Sequence, residues 1–119
     1  MNKNVKMIVM DLDDTLLNDD LVISDYTKQV ISNAQRSGIK IVIASGRPTP
    51  AILPYAEELR LADYNGYVIS YNGAIAHRCD TNEEIFRCTH TWDNIDLLTS
   101  VYKEKSAFIH TYIDDRVVT

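Results

Sequence analysis

The chain has 119 residues, 45% hydrophobic and 24% charged, which suffices for a small domain with a real core. Its net charge of −5, from 12 Lys+Arg against 17 Asp+Glu, argues against a nucleic-acid partner, which would need a basic surface. No apolar run approaches the roughly 20 residues of a membrane span, and the N-terminal MNKNVKM lacks a signal-peptide stretch, so a cytoplasmic protein is expected. Cys79 and Cys88 do not make a disulfide framework. They flank a predicted hairpin turn and could face each other, but free thiols are the reading adopted. His77, His90 and His110 show no metal-ligand spacing and are assigned to surface or strand-face positions.

The first element is Val5 to Met10, VKMIVM, an apolar run that reads as a strand buried on both faces. It stops at three carboxylates, Asp11, Asp13 and Asp14. In a parallel α/β sheet the carboxyl ends of the strands open onto the ligand crevice. Asp11 and Asp13 would project there together. Two such close carboxylates repel unless a cation or a shared proton relieves them. Mg²⁺ takes oxygen ligands and accompanies phosphates, so it suits the pair. An Asp-x-Asp after a strand serves equally as a solvated turn or a helix cap.

Asn18, Asp19 and Asp20 are turn formers between apolar pairs and predict a tight β-hairpin. Ser24 reads as an N-cap for a helix over about 25–37, with Tyr26, Val30, Ile31 and Ala34 on one face and Gly38 behind it. Ile39 to Ala44 is a second buried strand. The strand–helix–strand unit implies parallel pairing with a right-handed crossover, so both strands end side by side. At that end stand Ser45, Gly46, Arg47 and Pro48. A hydroxyl, a close-approach glycine and a forked cation suit a phosphate. The same string is also an ordinary strand-to-helix turn.

Thr49 and Pro50 look like N-cap and first residue of a helix, with Ile52, Leu53, Ala56 and Leu59 on its apolar face. Pro54 interrupts it: either the first turn is irregular, or the regular helix begins near Pro54 and runs to about Arg60. Leu61 to Gly66 reads as a loop. Tyr67 to Tyr71 is a third strand, ended by Asn72, Gly73 and Ala74. Ile75–Arg78 and Glu84–His90 make a hairpin around Asp80, Thr81 and Asn82. Thr91 then caps a helix with Ile95, Leu98, Val101 and Tyr102 on one face and Lys103 and Lys105 at its end. Ala107–Ile113 alternates as a strand, Asp114–Asp115 turns it, and Arg116–Thr119 begins another.

The string DLDDTLL after an apolar strand resembles motif I, Asp-x-Asp-x-Thr, of the haloacid dehalogenase-like phosphohydrolases. Ser45, one crossover later, resembles their motif II. The Arg47-Pro48 pair and the string Tyr-Asn-Gly-Ala at 71–74 are similar to the Cof-like sugar-phosphatase branch, which carries a type 2 cap. The resemblance implies an α/β fold: a Rossmann-like parallel core of three strands in residues 1–78, then the start of an inserted α+β cap in 79–119. It makes Asp11 the nucleophile and Asp13 the general acid/base. Asp11 and the main-chain carbonyl of Asp13 would hold Mg²⁺. Thr15 would support the loop, and Thr15, Ser45, Gly46, Arg47 and Asn72 would line the phosphate and substrate site. Asn72 stands equally well as part of a plain turn into the hairpin. Many relatives carry Gly in place of Asp14.

The function implied is Mg²⁺-dependent hydrolysis of small phosphorylated metabolites, notably sugar phosphates, through an aspartyl-phosphate. The family's motif III Lys and its Gly-Asp-x-x-Asn-Asp motif IV match nothing here. An N-terminal portion of a longer fold is therefore expected, inactive or weakly active alone. Its first strand would be an exposed edge, open to self-association or complementation. The alternatives are an inactive binding or assembly module on the same fold, and a phosphoacceptor signalling domain. The latter places its acceptor Asp after a later strand, where this chain offers none.

Overall fold

A computed structural model describes residues 5–113 and 116–119. Three apolar runs form parallel strands, β1 (Met7–Met10), β2 (Lys40–Ala44) and β3 (Tyr67–Ser70). A hairpin, β4 (Ile75–Arg78) and β5 (Glu84–Arg87), continues the same sheet antiparallel, in the order β1-β2-β3-β4-β5. Helices α1 (Asp25–Arg36) and α2 (Thr49–Glu58) make the crossovers between the parallel strands. Ile41, Ile43 and Val68 of the sheet pack with Ile31, Ile52, Ala56 and Leu59 of the helical segments, and with Leu12, Leu16, Leu17, Ile23 and Leu61 of the loops. The fold is the mixed α/β sheet with a Rossmann-like core that the sequence implies.

The chain divides into two compact units, one ending at Arg87 and one running from Cys88 to Thr119. In the second, α3 (Trp92–Lys105) starts at the Thr91 N-cap, whose hydroxyl accepts from the Asn94 N–H at 3.4 Å. It is followed by an antiparallel pair, β6 (Thr111–Ile113) and β7 (Arg116–Val118). Residues 107–110, expected in the strand, lie outside it. The expected turn at Asp114–Asp115 lies outside the described residues.

Several expectations need correcting. β2, not β1, is the strand buried on both faces: Ile41, Val42 and Ile43 are buried in succession. β1 is paired on one side only among the described residues, and its Met7 and Val9 are 49% and 55% exposed. An apolar run records that a strand is hydrophobic, not how well its faces are covered; the edge position itself is the one expected of this first strand. No strand ladder forms over Asn18–Val22. Instead the Asn18 side-chain oxygen accepts from the N–H groups of Asp20 and Val22, and the Asn18 N–H donates to the Val22 carbonyl at 3.1 Å. The asparagine side chain takes donors that a hairpin would have paired.

Helix α1 begins as expected at Ser24, whose hydroxyl accepts from the Thr27 N–H at 3.1 Å. Its inward face is half the predicted one: Ile31 is buried and Ala34 packs against the core as expected, but Tyr26 and Val30 are exposed and Gln35 is buried instead. Gln35 compensates by donating from Nε2 to the Leu59 carbonyl at 3.0 Å. Helix α2 starts at Thr49 with Pro48 as its N-cap, so neither the Thr49 cap nor a start near Pro54 holds. Pro54 sits inside the helix. The segment after it is a short 3-10 turn, Leu61–Tyr64, between left-handed Arg60 and Asn65, rather than a plain loop.

Gly66 is buried where the chain re-enters the sheet. A Cβ there would stand 2.9 Å from both the Ile41 carbonyl oxygen and the Leu61 Cβ. Neither can yield cheaply, since one is backbone of β2 and the other core. Gly66→Ala is expected to destabilise the fold by about 2 kcal/mol in urea unfolding. Cys79 and Cys88 are both free thiols. Cys88 is exposed, while burial pushes the Cys79 thiol up to about 11. Because the thiolate is the reactive form, a disulfide reagent at pH 8 should label Cys88 first and Cys79 far more slowly, the two rates converging on unfolding.

Candidate active site

The parallel register fixes where the polar residues emerge. Met10 lies opposite Ile43, and Ala44 opposite Ile69. Asp11, Ser45 and Ser70–Asn72 therefore leave the sheet along one edge, the carboxyl ends of β1, β2 and β3.

After β1 the backbone does not run straight on. Asp11 caps an irregular loop over Leu12–Leu16, accepting from the Leu12 N–H at 2.6 Å, and the Leu17 N–H closes it onto the Leu12 carbonyl at 2.9 Å. Leu12 and Leu16 are buried and anchor the loop in the core. Asp11, Asp13, Asp14 and Thr15 between and before them are exposed. Apolar anchors alternating with polar residues thus hold the carboxylates out over the core. Asp14 is left-handed at φ 55°, a conformation that suits Asp, Asn or Gly.

After β2, Ser45 is buried. Its N–H donates to the Ile69 carbonyl at 2.9 Å, and its hydroxyl accepts from the Arg47 N–H at 3.2 Å. The turn after β3 docks onto this one: the Asn72 N–H donates to the Ser45 carbonyl at 3.2 Å and the Tyr71 N–H to the Arg47 carbonyl at 3.0 Å. Tyr71, Asn72 and Gly73 are consecutively left-handed. At Tyr71 and Asn72 such a conformation costs about 1–3 kcal/mol each and persists only where surroundings hold it, while Gly73 adopts it freely. A Cβ on Gly46 would lie 2.9 Å from Asn72 Oδ1, so the glycine makes room for the asparagine side chain.

Arg47 joins the second turn to the first loop. Its Nε donates to Asp13 Oδ2 at 2.9 Å and its Nη2 to Asp13 Oδ1 at 2.5 Å. The guanidinium also lies 5.8 Å from the Tyr55 ring centroid. Hydrogen bonding by Arg47 holds the Asp13 carboxyl below the usual carboxylate range, and Asp13 raises Arg47 in turn. Of the residues singled out in the sequence, the structure brings Asp13 and Arg47 into contact, and Ser45, Gly46 and Asn72 together. Thr15 stands exposed in the acid loop. Sequence reading missed the hydroxyl pair Thr49 Oγ1···Ser70 Oγ at 2.7 Å, which ties the start of α2 to the end of β3. The signal was present: Ser70 shares the inward face of β3 with buried Val68.

A divalent cation would find limited protein ligation here. Among the described residues no three His, Cys, Asp or Glu side chains gather at metal-binding distance. Asp11 has one carboxylate oxygen on the Leu12 N–H and a second to offer, and the Asp13 carbonyl adds another. All are hard oxygens. Mg²⁺ commonly keeps several waters and takes one or two carboxylates plus substrate phosphate. The donor set fits that pattern.

An α/β sheet with acids at the end of its first strand and a hydroxyl–glycine–arginine turn at the end of its second defines the class. Residues 8–119 match the haloacid dehalogenase-like hydrolase family, and the chain belongs to it. YxeH of Bacillus subtilis, provisionally named a phosphatase, is 32% identical over 96% of this chain and 42% of its own length. A Bacillus subtilis 5-amino-6-(5-phospho-D-ribitylamino)uracil phosphatase, YcsE, is 33% identical over 80% of this chain and 36% of its own length. The crystal structure of a haloacid dehalogenase-like hydrolase from Bacteroides thetaiotaomicron superposes with a TM-score of 0.80 and 33% identity, over 95% of this chain and 42% of that one. The chain spans less than half the length of these relatives. No helix among the described residues is long and apolar enough to cross a membrane.

If Gly46 exists to admit Asn72, the two positions must be energetically coupled. Gly46→Ala should cost about 1 kcal/mol of stability in the native background, and most of that cost should vanish in Asn72→Ala, as a double-mutant cycle by thermal unfolding would read.

Proposed function

We propose that the chain carries the nucleophile-bearing part of a Mg²⁺-dependent phosphohydrolase that acts in the cytoplasm on small phosphorylated metabolites, sugar phosphates among them. The observation that carries this reading is the shared edge: Asp11 and Ser45 follow neighbouring strand ends, since β1 and β2 pair in parallel with Met10 opposite Ile43, and Arg47 of the second turn bonds Asp13 of the first loop. The relatives' names support the reaction class, and YcsE's substrate is itself a small phosphorylated metabolite.

Asp11 is the nucleophile. Its free carboxylate oxygen attacks phosphorus, the bond to the ester oxygen breaks, and an aspartyl-phosphate forms on Asp11. Asp13, once protonated, gives that proton to the departing oxygen, and the proton it then takes from the water that releases phosphate restores the acid form. Ser45, with the N–H groups of its turn, holds phosphoryl oxygens. Thr15, Gly46, Arg47 and Asn72 complete the rim. Asp11 and the Asp13 carbonyl would hold Mg²⁺, which would neutralise charge on the phosphoryl group in transfer. The core comprises residues 1–78, and 79–119 open a cap that selects the substrate.

A second reading, a binding or assembly module without turnover, is favoured by one observation: β1 presents a half-exposed apolar edge suited to pairing with a second copy or another chain. One assay separates the two. Turnover of p-nitrophenyl phosphate that requires Mg²⁺ and falls to background in Asp11→Asn supports the hydrolase. Phosphate binding without turnover, in a chain that sediments as an assembly, supports the module.

A further inference from the structure

Arg47 is the residue whose surroundings differ most from its expected task. A cation that grips phosphate should offer its paired donors to the crevice. Here both Nε and Nη2 are spent on the two oxygens of one carboxylate, at 2.9 and 2.5 Å. Two parallel bonds fix both the direction and the plane of a carboxylate, which a single bond does not. Asp13 needs such fixing. Its side chain is 47% exposed, and the loop around it is irregular.

The arginine is held in its turn. The Arg47 carbonyl accepts from the Tyr71 N–H, and its N–H donates to the buried Ser45 hydroxyl. Its guanidinium rests against Tyr55, whose own hydroxyl donates to the Leu21 carbonyl at 3.3 Å. A continuous set of contacts therefore runs from the Asn18–Val22 loop through Tyr55 and Arg47 to Asp13.

We infer that Arg47 is a positioning residue for Asp13: its fork, backed by the Tyr55 ring, aims the acid/base carboxylate across the crevice and is not the phosphate grip. This rests on the reading of Asp13 as the acid/base group. Phosphoryl oxygens are then left to Ser45 and backbone N–H groups. The loop at Asn18–Val22 acts on Asp13 at a distance, through the ring it tethers.

The test is nuclear magnetic resonance of the Arg47 Nε–H, identified by its disappearance in Arg47→Lys. In the intact chain this proton should exchange slowly with water and keep its resonance when Mg²⁺ and inorganic phosphate are added. Asp13→Asn should speed its exchange by about tenfold, since the charged acceptor is gone. Tyr55→Leu should speed it too, and Tyr55→Phe much less. Exchange unchanged by Asp13→Asn overturns the proposal. So does a resonance that leaves its position when phosphate is added, for the fork would then serve phosphate. The backbone amides of Ser45 and Gly46 report separately on function: if phosphate and Mg²⁺ leave them unmoved, the hydrolase reading fails while the Arg47–Asp13 arm still gives its answer.

Discussion

Parallel hydrogen bonding between β1 and β2, with Met10 opposite Ile43, is the constraint on which the remaining architecture depends. Parallel strands start at the same end and stop at the same end, so every crossover returns the chain to one edge of the sheet. Three parallel strand ends, joined by two crossovers, place an acid loop, a hydroxyl turn and a left-handed turn next to one another. The backbone then welds them, through Ser45 to Ile69, Asn72 to Ser45 and Tyr71 to Arg47. Side-chain chemistry at that edge is thus laid over a scaffold of main-chain bonds that does not depend on any one functional group.

The division of labour at the edge follows from burial. Leu12, Leu16 and Leu17 sink into the core and pull the acid loop down. Asp11, Asp13 and Asp14 cannot follow, because an unpaired charge in an apolar interior is prohibitively costly. Ser45 is neutral, so it can be buried, with both its N–H and its hydroxyl partnered. Asp11, Asp13 and Asp14 stand exposed in the acid loop, and the Arg47 guanidinium from the next turn pairs with Asp13.

What could be read from the sequence was what local pattern encodes. The three parallel strands, the Ser24 and Thr91 caps and the β4–β5 turn follow from a few neighbouring residues and are present, though the strands expected over 84–90 and 107–113 are shorter than their runs. Motif strings placed the acids and Ser45 at strand ends before any geometry was known. What escaped was decided by distant partners. That β1 is an edge followed from the unmatched motifs, but how far its faces are covered is not written in VKMIVM. Val30 and Gln35 exchange roles on α1 because Leu59, 24 residues on, offers Gln35 a carbonyl. Arg47 and Asp13 are 34 residues apart, and each was read alone, the one as a phosphate contact and the other as the acid/base. The Asn18 loop failed for a more local reason: a side-chain acceptor outcompeted a backbone ladder.

Asp14 sits among acids but answers to a different demand. Its φ of 55° asks only for a residue that tolerates a left-handed backbone, and its carboxylate carries no assigned task. Evolutionary drift there should be wide in charge and narrow in shape, running through glycine and asparagine and halting at β-branched side chains. The last acid of the DLDD string is therefore the one whose identity says least about chemistry, and an inventory of carboxylates that counted all three alike would misjudge the site.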